Sequence, residues 1–224
     1  MELSLSHNYL ICALNKRGYF NCNDRYLLYG LATTTIIELV DAHALEVWDK
    51  HAKVVGPVPL DKQWLKPAYG VFADAGSDAN IGDMVNRLFV PVFTDSRARA
   101  TLESYWPLLE DGGFLRRKPL LLGKYVHEIS NITYCEHLKK AVAGQLLGES
   151  DYDVDALTLM FILKHSRCLR GIVPPLSNRE IKERIEQIDA DESTSPEVFR
   201  TVSRNRDIIS CVSFATSAAS SNFF

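Results

Sequence analysis

The sequence predicts a mainly α fold: a single globular helical domain over residues 1–224, with a central buried helix bundle and two small β-hairpins. Three observations carry this reading. Apolar residues recur at i, i+3, i+4 and i+7 through most long segments, the spacing of one face of a helix. One segment, Val154–His165, is apolar nearly all round, as a helix at the centre of a core must be. Short apolar runs joined by turn residues occur in two places, around residues 45–55 and 114–126, and read as hairpins. A chain of 224 residues buries a substantial core without disulfide staples.

Residues 6–14 read as a short helix, with Ser6 as cap and Leu10, Ala13 and Leu14 on one face. The turn at residues 15–18 leads to a brief strand over 19–22. A longer helix follows from Asn23 or Asp24 to about His43, with one stripe of Leu28, Leu31, Thr35 and Leu39 and an adjoining one of Leu27, Gly30, Thr34 and Ile37. Thr33, Thr34 and Thr35 are poor helix formers, so packing must hold this segment. Residues 45–47 and 53–55 form strands joined by the polar turn at 49–52, and Gly56 and Pro57 close the hairpin. Asp61 caps a helix carrying Trp64, Leu65 and Tyr69, limited or kinked by Pro67. The DAGSDAN run, residues 74–80, reads as a surface connection.

Ile81, Met84, Val85 and Leu88 make a helix ending near Pro91. Thr94 caps another that runs through Leu102, Tyr105, Trp106 and Leu109, kinks at Pro107 and stops at Gly112 and Gly113. After the second hairpin come Ile132–Leu147, with Tyr134, Cys135, Leu138, Ala141, Val142 and Leu146 inward, and then Val154–His165. Ser177 with Glu180 is a capping box for a helix carrying Ile181, Ile185 and Ile188. Ser195 and Pro196 open a last helix through Val198, Val202, Ile209 and Val212.

A net charge of -3 gives no global attraction to nucleic acid or acidic lipid, so any anion binding must be local. Five scattered cysteines without a CxxC pair argue for reduced thiols in a cytosolic protein. The opening residues lack a basic n-region, and no window approaches the roughly 18 apolar residues of a membrane span, so any membrane contact is expected to be peripheral and cytoplasmic. Asp151, Asp153 and Asp155 have the spacing that begins a calcium loop, but Ala156 and Ile162 replace its glycine and final carboxylate, and a helix start explains them better. His127 and Glu128 lack the second histidine of a zinc helix, and no phosphate loop or nucleophile elbow is present. Cys135, Glu136 and His137 are consecutive and point in different directions on a helix. Binding is therefore the better starting class than catalysis, with no catalytic residue, cofactor or metal assigned. Nucleic acid is not expected either, because Arg179, Lys182 and Arg184 alternate with Glu180, Glu183 and Glu186 as a solvated helix face.

The segment that stands out is FLRRKPLLLGKYV, residues 114–126. No acidic residue lies between Asp111 and Glu128, while Arg116, Arg117, Lys118 and Lys124 bracket Leu120, Leu121 and Leu122. Pro119 and Gly123 oppose a long helix, leaving two short strands with a bent tip. Read alone, the leucines make a buried strand and the cations an ordinary solvated edge. The other reading is a basic, greasy tip for an anionic membrane, where each nearby Lys or Arg contributes about 1 kcal/mol.

The order of motifs decides the context. LSLSHNYLICALN, RGYF, LATTTIIELVDAHALEV, a helix ending in GGFL with a basic hairpin behind it, and SDYDVDALTLMFILKHS followed by SNREIKERIEQID together resemble the Golgi phosphoprotein 3 family over nearly the whole chain. The resemblance implies a non-enzymatic, mostly helical, peripheral membrane protein, which in eukaryotic members binds phosphatidylinositol 4-phosphate and retains glycosyltransferases in the Golgi. It also implies that the hairpin lies beside the lipid site and takes part in membrane insertion and self-association. The family's headgroup tryptophan falls on Asn23, an arginine on Ala32, and two further arginines on Arg99 and Leu102, with Arg97 nearby. On this reading Arg97, Arg99, Arg116, Arg117, Lys118 and Lys124 meet anionic headgroups, and Leu120, Leu121, Leu122 and Tyr125 enter the interface. Generic anionic lipid suits these residues better than the phosphoinositide, since Asn23, Ala32 and Leu102 cannot replace bidentate ligands. The implied partners are an anionic membrane lipid and a membrane-protein client; the alternative is a homo-oligomer in which the hairpin packs against a sister subunit.

Overall fold

The computed structural model describes residues 3–76, 79–89, 96–120, 125–149, 151–173, 176–190 and 196–221; the side chains at 89, 96–99, 178, 189, 190 and 214–221 lie outside that description. Helix α1 (Leu5–Ala13) and helix α2 (Asp24–Asp41) cross where Gly30 allows it: a Cβ there would come within 2.1 Å of the Tyr9 hydroxyl. Asn23 caps α2 by accepting the Tyr26 N–H, as its residue type suits. The three threonines of α2 are buried with their hydroxyls satisfied, Thr33 donating to the Tyr29 carbonyl and Thr34 and Thr35 to that of Leu31. Ser6 is not the cap of α1. Ser4 occupies that position and Ser6 lies inside the helix, its hydroxyl donating to Thr34. The strand expected over 19–22 reduces to one bridge between Leu14 and Phe20.

Strands β1 (Leu45–Trp48) and β2 (His51–Val54) pair antiparallel through a two-residue turn, Asp49 and Lys50, both with positive φ, as a tight hairpin of the primed type requires. A 3-10 turn (Gln63–Leu65) runs into α3 (Lys66–Ala75), whose first turn holds Pro67. The expected kink is thus a helix start, where the missing N–H of proline costs nothing, and Leu65 rather than Asp61 precedes it. The DAGSDAN run is not all loop, because Ala79–Asn80 forms β3 on the edge of β2. Helix α4 (Ile81–Phe89) follows with Ile81, Met84, Val85 and Leu88 buried as spaced. Thr94 lies outside the described residues, and the single helix expected beyond it is two: α5 (Ser96–Glu103) and α6 (Trp106–Asp111), the latter again with Pro107 in its first turn.

The hairpin strands are β4 (Leu115–Pro119) and β5 (Tyr125–Ile129). Helix α7 (Ile132–Leu147) is capped by Asn131 and closed by Gly148 at φ 69. Helix α8 (Val154–His165) is capped by Asp153, which accepts the Ala156 N–H, so that carboxylate of the expected helix start serves the helix. From Ala156 to Leu163 every residue of α8 is buried, and the helix packs against α1, α2, α7 and α10 (Pro196–Ser221). Helix α9 (Asn178–Ala190) carries the reciprocal capping box, with the Ser177 N–H on Glu180 and the Glu180 N–H on Ser177 Oγ. One core cluster links these helices, with β1, β2 and β3 packed against α2, α3 and α4 respectively and the β4–β5 hairpin following α6 and preceding α7 in the chain.

Candidate functional site

The hairpin is fixed at its base. Phe114, just before β4, donates its N–H to the Leu109 carbonyl and accepts from both Ser130 and Asn131, so α6, the hairpin and α7 share one anchor. Its ring meets Tyr134 edge-on at 5.0 Å. The register pairs Leu115 with Ile129, Arg116 with Glu128, Arg117 with His127, Lys118 with Val126 and Pro119 with Tyr125. Side chains alternate along a strand, so these pairs sort into two faces.

Leu115, Arg117 and His127 are on the inner face. His127 stacks on Trp106 at 4.8 Å and touches Phe20 at 5.0 Å. Burial, with the Arg117 charge adding to it, pushes the His127 imidazole below its ordinary range. The Arg117 guanidinium lies 5.2 Å from the Trp106 ring centre and 5.3 Å from that of Tyr125. Its Nε and Nη2 hold the two oxygens of Glu110 at 3.1 and 3.0 Å, and Nη1 holds Glu103 at 2.7 Å. Those hydrogen bonds lower the Glu110 carboxyl below the usual range. With its side chain only 17% exposed, Arg117, expected as a headgroup ligand, is engaged inside the chain and ties the hairpin to α6 through Glu110 and Trp106.

The outer face carries Arg116, Lys118, Val126 and Glu128. Lys118 pairs with Glu128 at 2.9 Å, but both side chains are about half exposed, and such a pair adds little stability. Arg116 is exposed opposite Glu128. Toward the tip Leu120 and Tyr125 are 45% and 44% exposed. Both edges of the hairpin are covered at mid-length: the Arg117 N–H donates to Glu110 and the His127 N–H to the Gly18 carbonyl. Capped edges suppress pairing with another sheet.

The sequence profile of the family described as Golgi phosphoprotein 3 (GPP34) matches residues 5–205. The chain belongs to the Golgi phosphoprotein 3 family. No curated protein matches it. In this Golgi phosphoprotein 3 family member, Ala32 is fully buried and Leu102 packs on the core, so neither presents a side chain to an anion. Asn23 is spent on the α2 cap. Arg97 and Arg99 belong to α5, with their side chains outside the described set, and Leu121, Leu122 and Lys124 fall outside the described residues. Among the described residues no group of three or more His, Cys, Asp or Glu is placed to hold a metal, and no helix is long and apolar enough to cross a membrane.

Sequence reading missed Glu103, Glu110, Trp106 and Gly18 as determinants of the hairpin. Their roles lead to an expected contrast. Arg117→Ala should cost about 2 kcal/mol of stability through lost ring packing and hydrogen bonds, while Arg116→Ala should stay within about 0.5 kcal/mol. Arg117→Lys should not recover the loss, because a point charge cannot bridge two carboxylates and lie flat on Trp106. Urea denaturation of the three variants measures this, and equal midpoints for Arg116→Ala and Arg117→Ala would contradict the clamp.

Proposed function

We propose that the chain is a single-domain, non-enzymatic peripheral membrane-binding protein that lays the outer face and tip of the β4–β5 hairpin on an anionic bilayer at the cytoplasmic side. The observation that carries this reading is the sorting of the hairpin's residues: Arg117 is bound inward, and Arg116, Lys118, Leu120 and Tyr125 are left exposed on a clamped platform. Lys124, Leu121 and Leu122 continue the patch in the sequence. Exposed cations supply attraction to the surface potential, and exposed leucine and tyrosine add burial in the interfacial zone. Membership of the Golgi phosphoprotein 3 family supports lipid or protein interaction of this kind. A generic anionic surface suits the chain better than a headgroup-specific pocket, since Ala32 and Leu102 turn into the core.

Sedimentation with phosphatidylcholine vesicles containing phosphatidylserine tests the proposal. The wild type should bind at low salt, and the double variant R116A/K118A should bind about thirtyfold more weakly, at about 1 kcal/mol for each cation. Unchanged binding by that variant rejects the hairpin as the docking face. The exposed Leu120 and Tyr125 also suit packing against a second copy of the chain. Light scattering on a hairpin deletion with native circular dichroism separates that reading, which requires the assembly to change in mass.

A further inference from the structure

The hairpin is extended on its β5 side by a part of the chain far away in sequence. The Gly18 carbonyl accepts the His127 N–H at 3.0 Å, so the turn at residues 15–19 lies against the edge of β5. Gly18 has φ +78, and a Cβ there would lie 2.4 Å from the His127 carbonyl oxygen; only glycine allows this approach. The turn is itself tightly bonded. Asn15 donates its N–H to the Tyr19 carbonyl at 2.8 Å, Gly18 donates to the Asn15 carbonyl at 3.0 Å, and Asn15 Oδ1 accepts the N–H groups of Arg17 and Tyr19. Behind it, Phe20 packs on His127, and Lys139 Nζ donates to the Leu14 carbonyl.

At the apex of this turn stand Lys16 and Arg17, both exposed, and neither has a carboxylate partner among the described residues. Tyr19 beside them is 49% exposed. The sequence has no Asp or Glu from Leu3 to Asn23, and none between Asp111 and Glu128. The fold therefore joins two acid-free segments edge to edge at Gly18 and His127. On the hairpin's described outer face Glu128 offsets part of the charge of Arg116 and Lys118. The turn adds two cations with no such offset, within two residues of the contact, at most about 7 Å of chain.

We propose that Lys16, Arg17 and Tyr19 form a second arm of the membrane-docking surface, so that an anionic bilayer is gripped by the hairpin and by the turn bonded to its β5 edge. This rests on the hairpin reading above. The occupant is a bilayer surface and not a free phosphate, because the cations stand with exposed Tyr19, Tyr125 and Leu120. Such side chains gain from the headgroup and acyl boundary and gain nothing from a soluble anion.

The test uses the full chain and vesicles of about three parts phosphatidylcholine to one part phosphatidylserine, with pure phosphatidylcholine as the neutral control. Three proteins are compared at low salt: wild type, R116A/K118A and K16A/R17A, each with native circular dichroism. If the turn is a docking arm, K16A/R17A weakens binding to the anionic vesicles by about tenfold or more, and K16E/R17E weakens it further. If the wild type binds and R116A/K118A weakens it, while K16A/R17A stays within about twofold of wild type, the turn is not part of the surface and the hairpin reading stands alone. If the wild type ignores anionic vesicles, the hairpin reading falls and the second arm falls with it.

Discussion

Replacing Glu38 by Ala should cost about 3 to 5 kcal/mol of unfolding free energy, more than any exposed substitution on the hairpin. Glu38 is 4% exposed on α2, and its two oxygens accept from two different elements: Oε1 from the Ser6 N–H at 2.5 Å and Oε2 from the Trp64 indole N–H at 2.9 Å. The first bond is a helix cap supplied from another helix. Ser4, at the cap position of α1, makes no capping bond, because its hydroxyl is engaged with His7 Nδ1 at 2.6 Å. The orphan N–H of the first turn therefore depends on Glu38, whose carboxylate also suits the positive end of the helix. Removing it strands the buried Ser6 N–H and the part-buried Trp64 indole N–H, at up to about 1 to 3 kcal/mol each, and leaves a cavity. Glu38→Gln separates these effects. It fills the same volume, but its NH₂ must face one of the two N–H donors, so a loss of about 1 to 3 kcal/mol remains. Urea midpoints at constant m-value read both variants. A cost below about 1 kcal/mol for Glu38→Ala, or a wild-type midpoint for Glu38→Gln, would show that the donors find other partners.

What the sequence disclosed and what it hid follow from how local each cause is. The bounds of α7 and α8 were legible in their apolar spacing, and the structure closes them locally, with Asn131, Gly148 and Asp153 acting within three residues of the ends. The capping box at Ser177 and Glu180 is equally local. Pro67 and Pro107 misled because apolar spacing continues across them; the periodicity looked like one bent helix, while each proline opens a helix of its own. The two residues of β3 pair only because β2 offers an edge, and nothing in their own composition signals it. For the site, the hairpin and its acid-free window were legible, and alternation alone sets Arg117 on the face of buried Leu115. That it would be clamped there needed the position of α6, which brings Glu110 and Trp106 beneath it. The Gly18 contact has no local trace beyond the glycine itself, since its partner lies in β5.

Acid should weaken the same body that carries the hairpin, beginning above the carboxylate range. His7 is fully buried on α1, 4.9 Å from the Trp64 ring and 5.8 Å from that of Tyr105. Burial lowers its imidazole from the ordinary 6.5 to about 4. As pH falls through 6.5 the unfolded chain takes up this proton first, while the folded chain resists it until about 4. The contribution of His7 is therefore complete above pH 6.5, declines as pH falls toward about 4, and changes no further below that; at 1.36 kcal/mol per unit the loss is about 3 kcal/mol. His127 and His165, also lowered by burial, act in the same direction. His7 is linked to the hairpin's base by contact: Tyr105, beside His7, bonds Thr35 in the core and is followed in the chain by Trp106, the ring on which Arg117 and His127 rest. His7→Asn keeps a polar atom near the position of Nδ1 for Ser4 and removes the titration. Between about pH 6.5 and 5, where carboxylates contribute little, the wild type should lose up to about 1.4 kcal/mol more per pH unit than this variant. Urea denaturation across that window measures the two slopes, and parallel slopes would mean that His7 takes up its proton in the folded chain as readily as in the unfolded one.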